Sequence, residues 1–260
     1  TPGCNFQCQF CQNWQISQLP REGGELRGQA LSPQRIVDLA IQHECASISY
    51  TYTEPTIFFE LAYDTAKLAH AAGLKNCFVS NGYMTDEAID TISPYLDAIN
   101  VDLKAFRDET YRTVMGGRLE GVLGSLKALV AADIWVEVTT LVVPGMNDSE
   151  EELADIAGFI ASELHRRTPW HVSRFHGDFE MPDTPATPVE TIELACDLGH
   201  TAGLHYVYCG NMPDARGQRT ICPACGAIVI DRVGAMVSRR NLTGDGTCRK
   251  CGLPMPGLWS

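Results

Sequence analysis

The segment Cys4-Asn5-Phe6-Gln7-Cys8-Gln9-Phe10-Cys11 places three thiols at a C-x3-C-x2-C spacing near the start of a 260-residue chain. Cysteine thiolates are the ligands of iron–sulfur clusters, and a [4Fe–4S] cluster takes four ligands when it is closed. No fourth cysteine follows until Cys45, so a cluster held here keeps one iron open to another molecule. A zinc site is the alternative, but structural zinc takes four ligands and the next C-x2-C pair begins only at Cys222.

The motif, with Phe10 before its last cysteine and Asn13 after it, resembles the signature of radical S-adenosylmethionine (SAM) enzymes. The run from Thr1 to Trp14 is similar to the branch called the AmmeMemoRadiSam system radical SAM enzyme, a relative of pyruvate formate-lyase activating enzyme. The resemblance implies that the open iron chelates SAM, and that one electron cleaves SAM to methionine and a 5′-deoxyadenosyl radical. That radical takes hydrogen from a small molecule or from a partner protein such as a glycyl-radical enzyme. A flavodoxin or ferredoxin is the implied electron donor.

Composition narrows the class of protein further. The chain is 45% hydrophobic with no apolar run long enough to cross a membrane, and its net charge is −12. The acidic balance disfavours non-specific binding to nucleic acid or to an anionic membrane. Seven of the 11 cysteines stand in metal-ligand spacings, which favours a reducing compartment over a disulfide framework. The sequence therefore predicts a cytoplasmic metalloprotein.

Strand-like and helix-like segments alternate after the cysteine motif. Strands are predicted over residues 45–52, 75–80, 97–104, 134–143, 169–175 and 205–209, with helices between them. Ser149 and Glu152 predict a capping box at the start of one helix. The alternation predicts an α/β fold with parallel strands, as in a doubly wound sheet or a (β/α) barrel, and does not choose between them.

The resemblance implies the second of these folds, a partial (β/α)6 TIM-like barrel of the radical SAM type. In the family a strand precedes the cysteine loop. Here that strand would lie before Thr1, so we expect the family's N-terminal segment to be missing from this sequence. A barrel without its first strand would have an unpaired edge.

Functional side chains of (β/α) barrels lie at the C-terminal ends of the strands. Three such ends are similar to SAM-binding motifs of the family: a Gly-Gly-Glu-Pro-type motif, a Ser-Asn-Gly turn and an Asp-Leu-Lys segment. The resemblance implies SAM contacts from these motifs, and also from Phe10 and His176. The residues of the three motifs are Thr53 and Glu54, Ser80 and Asn81, and Asp102 and Lys104.

Plainer interpretations of these residues stay open. Glu54 suits a helix N-terminus, Asn81-Gly82 is a favoured turn, and Asp102 with Lys104 can form a surface ion pair. Two positions depart from the activating enzymes. Thr139 stands where those enzymes carry an arginine on SAM, and Val79 replaces an acid that helps them bind a monovalent cation, so that cation is not predicted.

The C-terminal part carries its own metal motif. Cys222-x2-Cys225 and Cys248-x2-Cys251 form a four-thiolate set, for which zinc is the commonest occupant and iron the alternative. The glycine after each pair suits a tight turn. We predict a zinc-ribbon or rubredoxin-like domain over residues 214–260, after a radical SAM core over residues 1–213.

The remaining cysteines are Cys45, Cys77, Cys196 and Cys209. The first three are predicted to be small buried hydrophobic residues, and Cys209 ends the last strand, where a substrate could reach it.

Two alternatives to catalysis follow from the motifs. One is a non-catalytic iron–sulfur electron carrier, which would not need the polar strand ends. The other is a C-terminal unit that binds nucleic acid or a partner through its basic residues, which the net charge disfavours. Those basic residues are Arg232, Arg239, Arg240, Arg249 and Lys250.

Overall fold

The structure is a computed structural model. It describes residues 1–18, 23, 28–212, 216–233 and 236–259. The boundary predicted between residues 213 and 214 lies outside the described residues.

Six parallel strands form one sheet, and their order across the sheet is their order in the chain. A doubly wound sheet reverses its strand order at a switch point, whereas a barrel does not. The partial barrel is therefore confirmed. Within the described part of the chain, the first and last strands of this sheet each pair on one side only. The strands are β1 (Ser47–Tyr50), β2 (Lys75–Ser80), β3 (Ala98–Asp102), β4 (Trp135–Val142), β5 (Trp170–Arg174) and β6 (Val207–Gly210).

Helices cross over between the strands. They are α1 (Trp14–Ser17), α2 (Pro33–Gln42), α3 (Phe59–Ala71), α4 (Asp86–Ile92), α5 (Asp108–Thr110), α6 (Leu119–Ala131), α7 (Glu150–Phe159) and α8 (Val189–Thr201). Wide π-helical turns extend α5 over Tyr111–Met115 and α7 over Ile160–Leu164, and short 3₁₀ turns cover Pro55–Phe58, Ser93–Tyr95 and Arg216–Gln218. In the described part of the chain, no helix combines the length and the apolar character needed to span a membrane.

One predicted cap forms only in part. The Ser149 hydroxyl accepts the Glu152 N–H at 3.2 Å, as a capping box requires. The Glu152 carboxylate does not return the bond, because it accepts the backbone N–H of Phe106 at 2.6 Å. Glu152 thus ties α7 to the loop after β3 and not to its own N-cap.

The two faces of the sheet differ in polarity. Side chains that alternate along β3 and β4, such as Val101 and Val138, are fully buried in the core beneath the helices. The opposite, inner face carries polar residues. Asp102, Thr139 and His171 are aligned partners in one row across β3, β4 and β5. The inner face is therefore the face suited to ligands.

The C-terminal unit, meaning described residues 216–233 and 236–259, contains β7 (Thr220–Ile221), β8 (Ile228–Val233) and β9 (Met236–Arg239) in an antiparallel sheet. Its core of Cys222, Cys248 and Val229 packs against Tyr206, which immediately precedes β6. The unit is thus joined to the end of the barrel sheet by a shared hydrophobic cluster.

The predicted burial of three cysteines was wrong. Cys45 is exposed, and Cys77 and Cys196 are only half-buried. Cys45 lies in the turn between α2 and the edge strand β1, which has a neighbouring strand on one side only. Cys77 is on the inner face, where packing is incomplete.

Candidate active site

A cavity of 330 Å³ lies between the cysteine loop and the C-terminal ends of β1, β2 and β3. The three cysteines of the loop line it together with all six residues of the three strand-end motifs. Phe10 and His176 do not line it. The residues that do so and were predicted are Cys4, Cys8, Cys11, Thr53, Glu54, Ser80, Asn81, Asp102 and Lys104.

The cysteine loop is held by residues between its cysteines. The Gln7 and Gln9 N–H groups donate to the carbonyls of Met115 and Val114, at 2.7 and 3.1 Å. Phe6 is fully buried and packs on Tyr83, with ring centroids 5.1 Å apart. These contacts are made by backbone amides and an aromatic ring, not by the cysteine sulfurs.

Burial dominates the acidity of two of these thiols, Cys4 and Cys8. It raises the pKa of Cys4, and it raises the pKa of Cys8 to about 12, against the opposing effect of the nearby Lys104 ammonium. Among the described residues, ligands of a single ion would lie within 4.8 Å of one another, and the three sulfurs of the loop do not. A cubane cluster places each thiolate on a different iron, so wider spacing suits it better than it suits zinc.

Glu54 joins the ends of β1 and β2 beneath the cavity. Its side chain is 1% exposed. Oε1 accepts the Thr56 N–H and hydroxyl and the Ser80 hydroxyl, at 3.1, 2.7 and 2.8 Å. Oε2 accepts the Asn81 N–H at 2.8 Å, which leaves it one further acceptor position. Burial raises the pKa of Glu54, and these hydrogen bonds oppose the rise.

Asn81 connects the β2 end to the cysteine loop. Its Nδ2 donates to Asn5 Oδ1 at 2.6 Å and lies 3.6 Å from Cys4 Sγ. Its Oδ1 accepts the Tyr83 N–H at 2.9 Å. The intervening Gly82 has φ +71°, and a Cβ there would lie 2.6 Å from Val101, so the turn requires glycine.

Asp102 and Lys104 form an ion pair in the cavity wall, with 2.7 Å between Oδ2 and Nζ. The Lys104 side chain is 16% exposed. Burial lowers the pKa of Lys104, but the Asp102 carboxylate outweighs burial and the net pKa is raised, so the lysine stays cationic. The pair is therefore partly buried in the cavity wall. It is not the exposed surface ion pair that the sequence left as an alternative.

The backbone is strained at the cavity mouth. Tyr52 has φ +72°, a conformation that is unfavourable for any residue with a Cβ, and its side chain is 73% exposed. The next residue, Thr53, donates its hydroxyl to the Thr1 carbonyl. This is the segment in which the resemblance places glycines.

Two predicted residues lie elsewhere. Phe10 is buried, and its ring centroid is 6.0 Å from Lys104 Nζ, so it packs behind the cavity wall. His176 is exposed and follows β5, where its ring stacks on Phe175 with centroids 6.4 Å apart. The structure does not bring His176 to the cavity.

The residues that support the site were given no role on the basis of the sequence. Tyr111 is buried, and its hydroxyl accepts the Lys104 N–H at 3.1 Å. Asn147 Nδ2 donates to the Lys104 carbonyl at 2.7 Å. Asn5, a polar residue inside the cysteine motif, is a feature of the sequence that could have indicated such supporting hydrogen bonds.

The four C-terminal cysteines converge as predicted. Their sulfurs all lie within 4.8 Å of one another, with Cys222 3.5 Å from Cys251. Gly226 and Gly252 have φ near +70° and +78°, and their N–H groups bond back to the carbonyls of Cys222 and Cys248. This geometry fits one tetrahedral ion.

Comparison with known families decides the class of protein. Residues 1–157 match the family model described as the radical SAM superfamily. The chain belongs to the radical SAM superfamily. This radical SAM enzyme is 45% identical to an uncharacterised protein of Methanocaldococcus jannaschii, over 88% of the chain and 68% of that protein. It is 23% identical to pyruvate formate-lyase-activating enzyme of Clostridium pasteurianum, over 72% of the chain and 83% of that protein.

Solved structures show the same fold. A domain of pyruvate-formate lyase-activating enzyme from Bacteroides vulgatus matches with a TM-score of 0.57 and 17% identity, over 64% of the chain and 99% of that domain. SuiB of Streptococcus suis, bound to S-adenosylmethionine, matches with a TM-score of 0.63 and 13% identity, over 81% of the chain and 49% of that protein. At these identities the likeness is one of fold.

The residues of the first cavity fit the cofactors that the superfamily implies. Three thiols on one wall suit a cluster with one open iron. The facing wall offers amide and hydroxyl groups and a paired cation and carboxylate, which suit a zwitterionic ligand such as SAM.

Proposed function

We propose that this radical SAM enzyme holds a [4Fe–4S] cluster on Cys4, Cys8 and Cys11, and that SAM binds beside it. One observation carries the proposal: the cysteine motif and three strand-end motifs, far apart in sequence, line one cavity. Reductive cleavage of SAM to methionine and a 5′-deoxyadenosyl radical, which takes hydrogen from a substrate, is the chemistry that these cofactors supply when bound. The assignment to the AmmeMemoRadiSam branch is part of this proposal and rests on the similarity of residues 1–14.

In this proposal, residues of the chain hold and orient the bound SAM. Glu54 fixes the Ser80 hydroxyl and the Asn81 backbone and keeps one acceptor position on Oε2 for an ammonium group. Asp102 and Lys104 offer one acceptor and one cation to opposite charges of SAM. Phe10 supports Lys104 from behind, and Thr53 is positioned at the mouth. His176 and Thr139 have no assigned contact in this arrangement.

A one-electron donor such as a flavodoxin or ferredoxin is required by this chemistry, and we propose the cytoplasm as its compartment. The 11 cysteines of the chain are all unbridged, which suits a reducing environment. We also retain the division into a radical SAM core over residues 1–213 and a metal-binding domain over residues 214–260.

The test is anaerobic reconstitution with iron and sulfide, followed by addition of SAM and a one-electron reductant. We expect about four irons in the cysteine loop and formation of 5′-deoxyadenosine. Cys8→Ala should abolish both. Cys45→Ala is the matched control, because Cys45 is exposed and outside both metal motifs, and it should behave as the wild type.

A reducible cluster that never cleaves SAM would overturn the proposal and favour the electron-carrier alternative. Loss of 5′-deoxyadenosine in Cys45→Ala as well as in Cys8→Ala would mean that cysteine replacement acts through folding and not through ligation.

For the C-terminal site we propose zinc. The four sulfurs lie within 4.8 Å of one another, and with four protein ligands the site is closed and structural. We expect one zinc per chain, lost in Cys251→Ser with the cluster irons retained. Visible absorption of a ferric tetrathiolate in the Cys8→Ala protein would instead assign iron to this site.

A protein substrate is the second candidate. It is favoured by the 23% identity to activating enzymes, one from Clostridium pasteurianum and one, for benzylsuccinate synthase, from Thauera aromatica. The reconstituted enzyme would be mixed with pyruvate formate-lyase, SAM and reductant, and examined by electron paramagnetic resonance. A glycyl-radical signal that requires Cys8 supports this candidate. Formation of 5′-deoxyadenosine without that signal argues against this particular partner.

A further inference from the structure

A second cavity, of 460 Å³, lies between the inner face of β4, β5 and β6 and the C-terminal unit. Its volume falls in the range of small-molecule sites. The barrel contributes Glu137, His171 and Tyr208, and the C-terminal unit contributes Arg232 and Trp259. No cysteine of either metal motif lines it. It is therefore distinct from both proposed metal centres.

The carboxylate in this cavity is already paired. Glu137 Oε2 lies 2.6 Å from His171 Nε2, and Oε1 accepts the Trp135 Nε1–H at 3.0 Å. Burial raises the pKa of Glu137, but these hydrogen bonds more than offset it and the net pKa is lowered. Glu137 thus stays ionised and is satisfied by residues of the sheet.

The cation of this cavity, Arg232, is held in place by neutral hydrogen-bond acceptors. Arg232 Nη1 donates to the Gln218 carbonyl at 3.0 Å and to the Thr220 hydroxyl at 2.8 Å. Among the residues that the structure describes, none forms an ion pair with Arg232. The Tyr208 hydroxyl also interacts with this guanidinium, and the Glu137 carboxylate acts on it at longer range. A guanidinium has five N–H donors in a fixed fork, and the bonds to Gln218 and Thr220 use Nη1 alone, so further donors remain for a carboxylate.

The walls beside this cation are flat and aromatic. Tyr208 stacks on His171 with ring centroids 5.2 Å apart and an interplanar angle of 24°. The Arg232 guanidinium lies 5.6 Å from the centroid of the Tyr208 ring. The Trp259 Nε1–H donates to the Met255 carbonyl at 3.0 Å, which fixes the indole against the unit. Such walls favour a planar ring over a branched aliphatic chain.

We propose that this second cavity binds a small aromatic carboxylate, with the carboxylate on the remaining N–H donors of Arg232 and the ring between the aromatic walls. Asp102 lines the first cavity and His171 the second, and the row Asp102–Thr139–His171 spans two strand spacings, about 10 Å. If this ligand is also the molecule from which the radical takes hydrogen, that role rests on the proposed function. Binding of the ligand in this cavity is independent of the proposed function.

The test is calorimetric titration of the full chain, loaded with its C-terminal metal but without cluster or SAM. The probes are indole-3-acetate and its uncharged analogue, indole-3-acetamide. We expect the acid to bind at least about tenfold more tightly than the amide, because the acid can form a bidentate ion pair with the guanidinium, whereas the amide offers a single neutral oxygen. Equal affinities, or no binding of either probe, would overturn the proposal.

Three variants sharpen the test. Arg232→Gln should weaken binding of the acid by about 10- to 100-fold. Glu137→Gln should strengthen binding of the acid severalfold, because it removes a negative charge from the cavity. Misfolding would weaken binding, so it cannot produce this result. Arg240→Gln is the matched control, since Arg240 is 60% exposed, pairs with Asp231 and does not line the cavity. An unchanged affinity in folded Arg232→Gln protein would refute the site, whatever the outcome of SAM cleavage.

Discussion

Replacement of Glu54 by glutamine tests whether the carboxylate beneath the first cavity holds the site together. Glutamine keeps the shape but presents an amide NH₂ where one carboxylate oxygen stood. With the amide oxygen in place of Oε1, the bonds from Thr56 and Ser80 survive as neutral hydrogen bonds. The NH₂ then faces the Asn81 N–H, which loses its acceptor.

The expected loss follows from these contacts. A buried N–H without an acceptor costs about 1–3 kcal/mol, and weaker neutral bonds add to this. Burial raises the pKa of Glu54, so removal of the charge returns part of the desolvation penalty. We therefore expect the free energy of unfolding to fall by about 1–2 kcal/mol. Affinity for SAM should fall as well, because the Asn81 backbone is displaced.

The assay is urea unfolding of the protein without SAM, together with SAM binding to the reconstituted enzyme. Thr56→Val is the control, because it removes one hydroxyl donor to Oε1 and leaves Asn81 in place. It should lower the free energy of unfolding by about 1 kcal/mol or less and leave SAM affinity unchanged. Wild-type stability and SAM affinity in Glu54→Gln would refute the reasoning, as would an equal loss of affinity in Thr56→Val.

Three further outcomes are expected. Tyr52→Gly should raise the free energy of unfolding, measured in urea, by about 0.5–1 kcal/mol, because glycine relieves the strain of φ +72° and this outweighs the greater flexibility of its unfolded chain. Tyr52→Ala keeps the Cβ and therefore the strain, so equal stability of the two variants would contradict this reasoning. His171 and Trp135 lower the pKa of Glu137 below 4.5, despite the opposing effect of burial. Glu137 should therefore stabilise the fold above that pH and lose this contribution as the pH falls through its folded pKa, so the difference in stability between wild type and Glu137→Gln should shrink in acid. Circular-dichroism unfolding at several pH values would contradict this if the difference grew in acid. In the metal-loaded protein, iodoacetamide should modify Cys45 faster than the other thiols outside the metal motifs, because Cys45 is exposed; peptide mass spectrometry would show the reverse order if the exposure were wrong.

Much of the barrel could be predicted from local sequence. Gly73 and Gly203 end helices with positive φ, and a strand follows each turn where the pattern places it. The choice between a barrel and a doubly wound sheet could not be predicted from the pattern, because both folds share the same alternation. Strand order decides it, and strand order depends on which helices pack together across the sheet.

The first cavity was predictable because its residues stand in short motifs at strand ends. The second was not, since its members come from the inner faces of β4, β5 and β6, outside any short motif, and from the C-terminal unit. Its signal was nevertheless present in β4 and β5. Glu137, Thr139 and His171 are polar residues at every second position of strands that would be apolar on both sides in a closed core. His176 follows β5 in a loop, and the strand pattern does not determine where a loop residue lies relative to the cavity.

The way in which the cysteine loop is anchored has a consequence for how the protein is assembled. The carbonyls of Val114 and Met115 end the π-helical turn after α5, and the loop amides of Gln7 and Gln9 serve as their partners. These bonds use no cysteine sulfur, so they do not depend on what the thiols hold. For the proposed cluster we therefore expect insertion to be a local event on a folded scaffold, and loss of its irons to leave a loop that can be refilled without refolding the barrel.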